Sequence, residues 1–400
     1  MAIHTRTETY APPEGLQRTL MGAGIVGVLG LAAAFLLGGE HVYKGYLLGF
    51  LFWPGVSLGC LALSMVHHLT GGAWGVVTRR IYEAAGRTLP LMALLFVPIA
   101  IGLPHLFEWA VPEAVAADPI LQQKAPYLNI PFFIARGVIY FVVWSGMALL
   151  LSRWSRQQDA AAGEAEQDRL SLNMQRLSGG GLVAYAVTVF FMSVDWVMSL
   201  DPHWFSTIYG MLFMVNQGLS ALAFTIAVLV LLARTTPLSR VVVPAHLHDL
   251  GKLLLAFVML WAYLTFSQFL IVWSANLPEE IPWYLTRMQG GWGAVSLALI
   301  VFHFFVPFLL LLNRDLKRHG RLLVVVALWV LVMRFVDLFW LMGPLHGARE
   351  LSVHAADVLA PVGIGGLWVA MFVWQLKARP LLPLGEPYLQ GALEHGKHAH

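Results

Sequence analysis

Cysteine is all but missing from this chain of 400 residues, which holds a single one, Cys60. One cysteine excludes an internal disulfide, a cysteine-ligated iron–sulfur cluster and a C-x-x-C-H haem attachment. Charge is scarce as well: Asp, Glu, Lys and Arg together make up 12% of the residues, against about 25% in soluble globular proteins. In their place stand a 58% hydrophobic fraction and 15 tryptophans. A soluble chain of this length can bury a large core, but it has no need of one long apolar run after another.

Such runs mark membrane-spanning helices. Ten are predicted, at 19–37, 45–69, 88–109, 131–151, 179–200, 209–233, 249–273, 291–312, 321–341 and 357–376. At 1.5 Å per residue each can cross about 30 Å of hydrocarbon. The expected fold class is therefore an all-α integral membrane protein with about ten transmembrane helices. The first run follows an N-terminal segment, 1–18, containing Pro12-Pro13, and no small-residue cleavage site follows it; it is expected to be a retained helix rather than a signal peptide.

The positive charges are unevenly placed. Nineteen Lys and Arg fall on the side that holds the N-terminus, the Arg79, Arg80 and Arg87 connection, the 152–178 stretch and the 377–400 tail. Four fall on the other side (Lys44, Lys124, Arg287 and Arg349), leaving Arg136 and Arg334 within spans. By the positive-inside rule both termini are cytoplasmic, and the basic balance reports topology rather than a nucleic-acid partner. The 152–178 segment is expected as a charged cytoplasmic linker between four helices and six. The terminal "HGKHAH" reads as a disordered tail rather than a metal site.

Ionisable groups inside spans are costly, about 2.5–3.5 kcal/mol each on insertion scales, and so are candidates for function. His105, Glu108, Arg136, Asp195, Asn216, Gln217, Gln268, Arg334 and Asp337 all fall near the same end of their spans, in one layer beneath the outer face. Asp195 has no charged neighbour on its own helix face, so its partner must come from another helix. The plainer alternative is that Arg334 neutralises Asp337 and His105 neutralises Glu108 at i,i+3, while Arg136 only ties Asp195 to a second helix. At the cytoplasmic end stand His67 and His68, before a Gly71-Gly72 helix stop and a basic stretch suited to anionic lipid headgroups. His246, His248, Asp249 and Lys252 open the seventh span, where Asp249 and Lys252 also suit an ordinary cap and interfacial pair. His303, with Tyr263 and Tyr140, lies at intermediate depth and can bridge the two groups as a proton path. Haem b is disfavoured: His67 and His68 point about 100° apart on a helix, and His105 and His303 differ in depth.

Three long strings carry a family resemblance: "SVDWVMSLDPHWFSTIYG" (193–210), "MVHHLTGGAWGVVTRRIYEAAGRTLPLMALLF" (65–96) and "LAFVMLWAYLTFSQFLIVWSANLPEEIPWYL" (255–285). They closely resemble the membrane subunits of alternative complex III, in particular the smaller of its two polysulfide-reductase-type anchors, over about 19–376. The resemblance implies two four-helix bundles plus flanking helices in a bacterial cytoplasmic membrane, without a redox metal in this chain. It implies a complex that oxidises quinol, such as menaquinol, through partner subunits: a larger homologous anchor, and iron–sulfur and c-haem proteins on the outer face. Electrons would then pass to cytochrome c or a terminal oxidase. On that reading Asp195, Arg136, Arg334, Asp337 and His303 form a proton relay, with Asp201 and His203 at its aqueous mouth and Pro202 setting the turn. His67, His68, Asp249 and Lys252 are cytoplasmic-side candidates. His105, Glu108 and Gln268 are placed near a quinone, and the acidic, aromatic 274–292 loop is suited to docking. A secondary transporter and a passive structural anchor are the rival classes.

Overall fold

The computed structural model describes residue 13 and residues 15–234, 238–343 and 350–394; Arg6, Arg349, Lys397 and the 395–400 tail lie outside them. The described residues are helical almost throughout, without a strand, and ten helices are long and apolar enough to cross a membrane. These are α1 (Leu16–Leu37), α2 (Gly39–Thr70), α3 (Ala73–Ile101), α4 (Ile130–Ala160), α5 (Glu164–Leu200), α6 (Tyr209–Leu232), α7 (Pro244–Ala275), α8 (Gly290–Leu312), α9 (Gly320–Met342) and α10 (Ala356–Lys377).

Local chemistry sets the ends. Asn129 caps α4 by accepting the Phe132 amide at 3.0 Å, with Pro131 in the first turn. The α2 helix stops at Gly71 and Gly72, both at positive φ, as expected of a glycine pair. Asn276 closes α7 in the left-handed region. In the third crossing Pro90, Pro98 and Pro104 each start a new helical piece, because proline lacks the amide that would continue the previous one.

Helices α2–α5 pack as one group of four and α6–α9 as a second, joined where α6 lies against α2 and α5. Helices α1 and α10 pair on the flank of α2. Apolar packing against lipid gives little drive to hold two helices together, so backbones must approach closely. A Cβ on Gly30 would sit 2.8 Å from Cα of Gly363, so these two glycines allow the contact. On its other side α1 exposes Ile25, Leu29 and Leu36, the face a bilayer would cover.

Two expectations need correction. The helix that leads into the third apolar run begins at Ala73, and the stretch expected among headgroups is a buried helix: Arg79 is fully buried and Arg80 nearly so. The 152–178 linker is helical but for residues 161–163, because α4 and α5 each run on past the apolar stretch as a long hairpin. Their polar ends pack on α3 and on the C-terminal segment, which supplies the partners that Arg79 and Arg80 would otherwise have found in water.

Candidate functional site

Asp195 lies on α5 one turn before the helix ends, fully buried. Arg136 from α4 grips it with two hydrogen bonds, Nε to Oδ2 at 2.8 Å and Nη2 to Oδ1 at 2.9 Å. Tyr140, one turn further along α4, donates its hydroxyl to Oδ2 at 2.6 Å. The guanidinium also lies against the rings of Tyr127 and Phe132, 3.9 and 4.2 Å from their centroids, which meet at a near right angle, and Nη1 donates to the Tyr127 carbonyl at 3.1 Å. The partner expected from another helix is therefore Arg136, and the pair is bidentate and shielded.

A second centre forms in the other bundle. Arg334 and Asp337 on α9 are ion-paired, and Asn216 of α6 donates to the same carboxylate at 3.5 Å. His303 is fully buried on a π-helical stretch of α8, Leu299–Phe305, with its ring edge-on to Trp261 of α7 at 4.3 Å between centroids. Neither ring nitrogen of His303 has a hydrogen-bond partner, nor do Gln268 Nε2, Thr265 Oγ1 and Asn216 Oδ1. Buried polar atoms are normally paired. The π-helical stretch that carries His303 is the kind of local departure found at functional sites.

Polar side chains also meet where the two bundles touch. Tyr185 of α5 donates to Gln217 of α6 at 2.7 Å across the bundle boundary. Next to it a cavity of about 20 Å³ is lined by Trp196, Asn216, Gln217 and Arg334, among others. That is room for a single water molecule. The small cavity touches Arg334 of the second centre, and on the other side Trp196, whose ring lies edge-on to Tyr140 of the first at 6.1 Å between centroids.

Beyond the layer, toward the end where α5 and α9 finish, a cavity of about 210 Å³ takes in Glu108, Asp201, His203 and Arg287. His203 Nε2 lies 2.7 Å from Asp118, and the Pro202 carbonyl accepts Lys124 at 2.5 Å, which fixes the turn. The Ile120 amide holds the Asp118 carboxyl below its ordinary range, with His203 adding to the effect. Arg287 is buried on a short helix, Ile281–Arg287; it donates to the carbonyls of Trp283, Trp340 and Leu341 and stacks on Trp283 at 3.6 Å. Burial draws its pKa down to about 10. It caps the last turn of α9, a role the sequence does not display because its partners are backbone carbonyls.

Other expected residues are placed differently. His105 is exposed and stacks on Tyr43, and Glu108 begins a separate turn after an extended Phe107, so the two share no helix face. Gln268 is buried on α7, seven residues along from Trp261 on one helix face. In the 274–292 loop the aromatics expected at a docking surface are buried, Trp283 stacking on Trp204 at 4.6 Å, while Glu279 remains exposed.

At the basic end His67 and His68 border a cavity of about 360 Å³ with Asp168 and Glu386. Asp249 and Lys252 form a solvent-facing pair at 3.4 Å. The group that sequence reasoning missed is deeper: Glu83 accepts from Arg79 at 3.0 Å, Arg80 at 2.7 Å and Arg379 at 3.2 Å, while Arg79 also reaches Glu386 and Arg80 reaches Asp159. The i,i+3 and i,i+4 spacing of Arg79, Arg80 and Glu83 was a visible signal for its centre. Among the described residues no three His, Cys, Asp or Glu side chains gather as a metal site. In comparisons with known proteins, no family model and no curated protein matches the chain.

Proposed function

We propose that the chain is a membrane subunit of a quinol-oxidising complex of the alternative complex III type, and that it handles the protons released with quinol oxidation. One observation carries the reading. Each bundle holds one buried carboxylate–arginine centre near the same end of its helices; a cavity with room for one water touches Arg334 of the second centre and Trp196, the chain neighbour of Asp195, and a larger polar cavity lies nearer the ends of α5 and α9. A carboxylate relay needs groups within reach of one another through at most a water, and a wet outlet. The unpaired His303 beside the second centre adds a titratable group on the inward side.

On this reading the layer faces the extracytoplasmic side of a bacterial cytoplasmic membrane, and both termini are cytoplasmic. Electrons leave through iron–sulfur and c-haem partner subunits toward cytochrome c or a terminal oxidase. Anchoring of those partners accounts for the exposed acidic part of the 274–292 loop.

A second reading has its own support. Both oxygens of Asp195 are hydrogen-bonded, which also suits a clamp between α4 and α5. Asp195→Asn separates the two. In the relay the complex assembles but loses most of its quinol turnover or its coupled proton release; unchanged turnover and proton release in an assembled complex leave only the clamp.

A further inference from the structure

At the end of the molecule rich in Lys and Arg, several cations already have partners within the chain. Arg79, Arg80 and Arg379 meet Glu386, Asp159 and Glu83, and Arg169 pairs with Glu166. A group at the turn between α8 and α9 is different. The turn holds a short helix, Arg314–Arg318, packed against α7. Asn313 accepts the Asp315 and Leu316 amides at 2.8 and 3.2 Å, and His319 Nδ1 donates to the Asp315 carbonyl at 2.7 Å, so the turn is fastened at both ends.

Lys317 is the centre of this group. Its stem crosses Gly251 of α7 so closely that a Cβ there would sit 2.7 Å from Lys317 Cγ. The residue is only 7% exposed, yet among the described residues its ammonium has no hydrogen-bond or ion-pair partner. Beside it Arg318 carries a buried Nε that is also unpaired. Burial, with the nearby Lys252 ammonium adding to it, draws the Lys317 pKa down. His248 of α7 lies within electrostatic reach of Lys252, Lys317 and Arg318. The acids here are Asp249, which Lys252 approaches at 3.4 Å and His248 at 4.0 Å, and the exposed Asp315. Positive charge is therefore in excess, and a buried cation without a counter-charge is costly.

The surroundings select the anion. From Lys252, exposed Ala256, Met259 and Tyr263 continue along one face of α7. Leu309 and Leu312 lead α8 into the turn, Leu322 and Val325 lead α9 out of it, and all four are exposed. A free phosphate would meet only the cations, whereas a phospholipid also covers these apolar faces with its chains. A zwitterionic headgroup adds its own cation to the excess; an anionic one does not. We propose that this turn binds the phosphate of an anionic phospholipid on Lys317 and Arg318, with Lys252 at the rim. The site goes beyond the quinol-linked reading and does not rest on it.

The test titrates the delipidated full chain in detergent with dioleoylphosphatidylglycerol or dioleoylphosphatidylcholine and counts bound lipid by native mass spectrometry. The first phosphatidylglycerol is expected to bind at least about fivefold more tightly than phosphatidylcholine, and Lys317→Gln to weaken it about fivefold, the effect of one basic side chain at a headgroup. Arg169→Gln removes a positive charge from the same end but outside the turn, and is expected to leave that binding unchanged. Should Lys317→Gln fail to fold, Arg318→Gln, with the same expected loss, decides in its place. Equal binding of the two lipids, or an equal loss in Arg169→Gln, would overturn the proposal in favour of unspecific attraction. Displacement of the bound phosphatidylglycerol by millimolar inorganic phosphate would overturn it in favour of a free-anion site.

Discussion

Asp195 shows what a single buried charge demands of its surroundings. Its carboxylate draws two donors from Arg136 and one from Tyr140, and the Arg136 guanidinium draws two aromatic rings in turn. Removing one partner of such a pair costs about 3–5 kcal/mol, because it strands the other charge, whereas replacing both with apolar side chains is often neutral. Asp195→Ala is thus expected to lower the thermal midpoint markedly, and the double variant Asp195→Leu with Arg136→Met to recover most of the loss. Detergent-solubilised unfolding curves measure both, and equal destabilisation by the single and double variants would contradict the pairing. The need for this pair was legible in the sequence, since a lone acid deep in an apolar span must find its counter-charge on another helix. Tyr140 was legible only as a residue of intermediate depth. Arg287 was not legible at all, because backbone carbonyls leave no pattern in the side chains.

At the scale of elements, helix α3 is where the sequence and the structure part. The long apolar run starting near residue 88 marks hydrocarbon, and hydropathy assigns the charged turns before it to the lipid surface. The structure instead buries those turns against α2, α4, α10 and the C-terminal segment. The carboxylates that compensate Arg79 and Arg80 come partly from Asp159 and Glu386, far away in the chain, and no local spacing announces them. Glu83 is the centre, touched by three arginines. Glu83→Gln is expected to destabilise the chain by several kcal/mol, on the scale of about 3–5 kcal/mol for a broken buried pair. Glu166→Gln, at an exposed pair with Arg169, is expected to cost about 0–1 kcal/mol. Comparable losses in the two variants, measured by thermal unfolding in one detergent, would show that the buried network adds nothing special. Elsewhere the elements were readable. The ends of α6 to α10 lie within a few residues of the apolar runs, because there the change from apolar to polar coincides with the end of the helix.

For the whole molecule, two four-helix groups pack side by side, each with its own buried carboxylate–arginine pair, and the first and last helices close the flank. Depth along each span was visible in the sequence; the side-by-side placement of the bundles was not. Orientation has its own measurement. An alkaline phosphatase fused after Asn276 is expected to be active and one at the C-terminus inactive, and the reverse pattern would put the Asp195 layer at the cytoplasmic face. The most direct measurement of the proposed function is purification of the tagged full chain from its native membrane, with mass spectrometry of what accompanies it and an absorption spectrum. The expected result is a stable assembly with a second, larger membrane anchor and with iron–sulfur and c-haem subunits, showing a c-type haem band that reduces on adding quinol. A chain that purifies alone or with non-redox proteins, with no haem band, would contradict it.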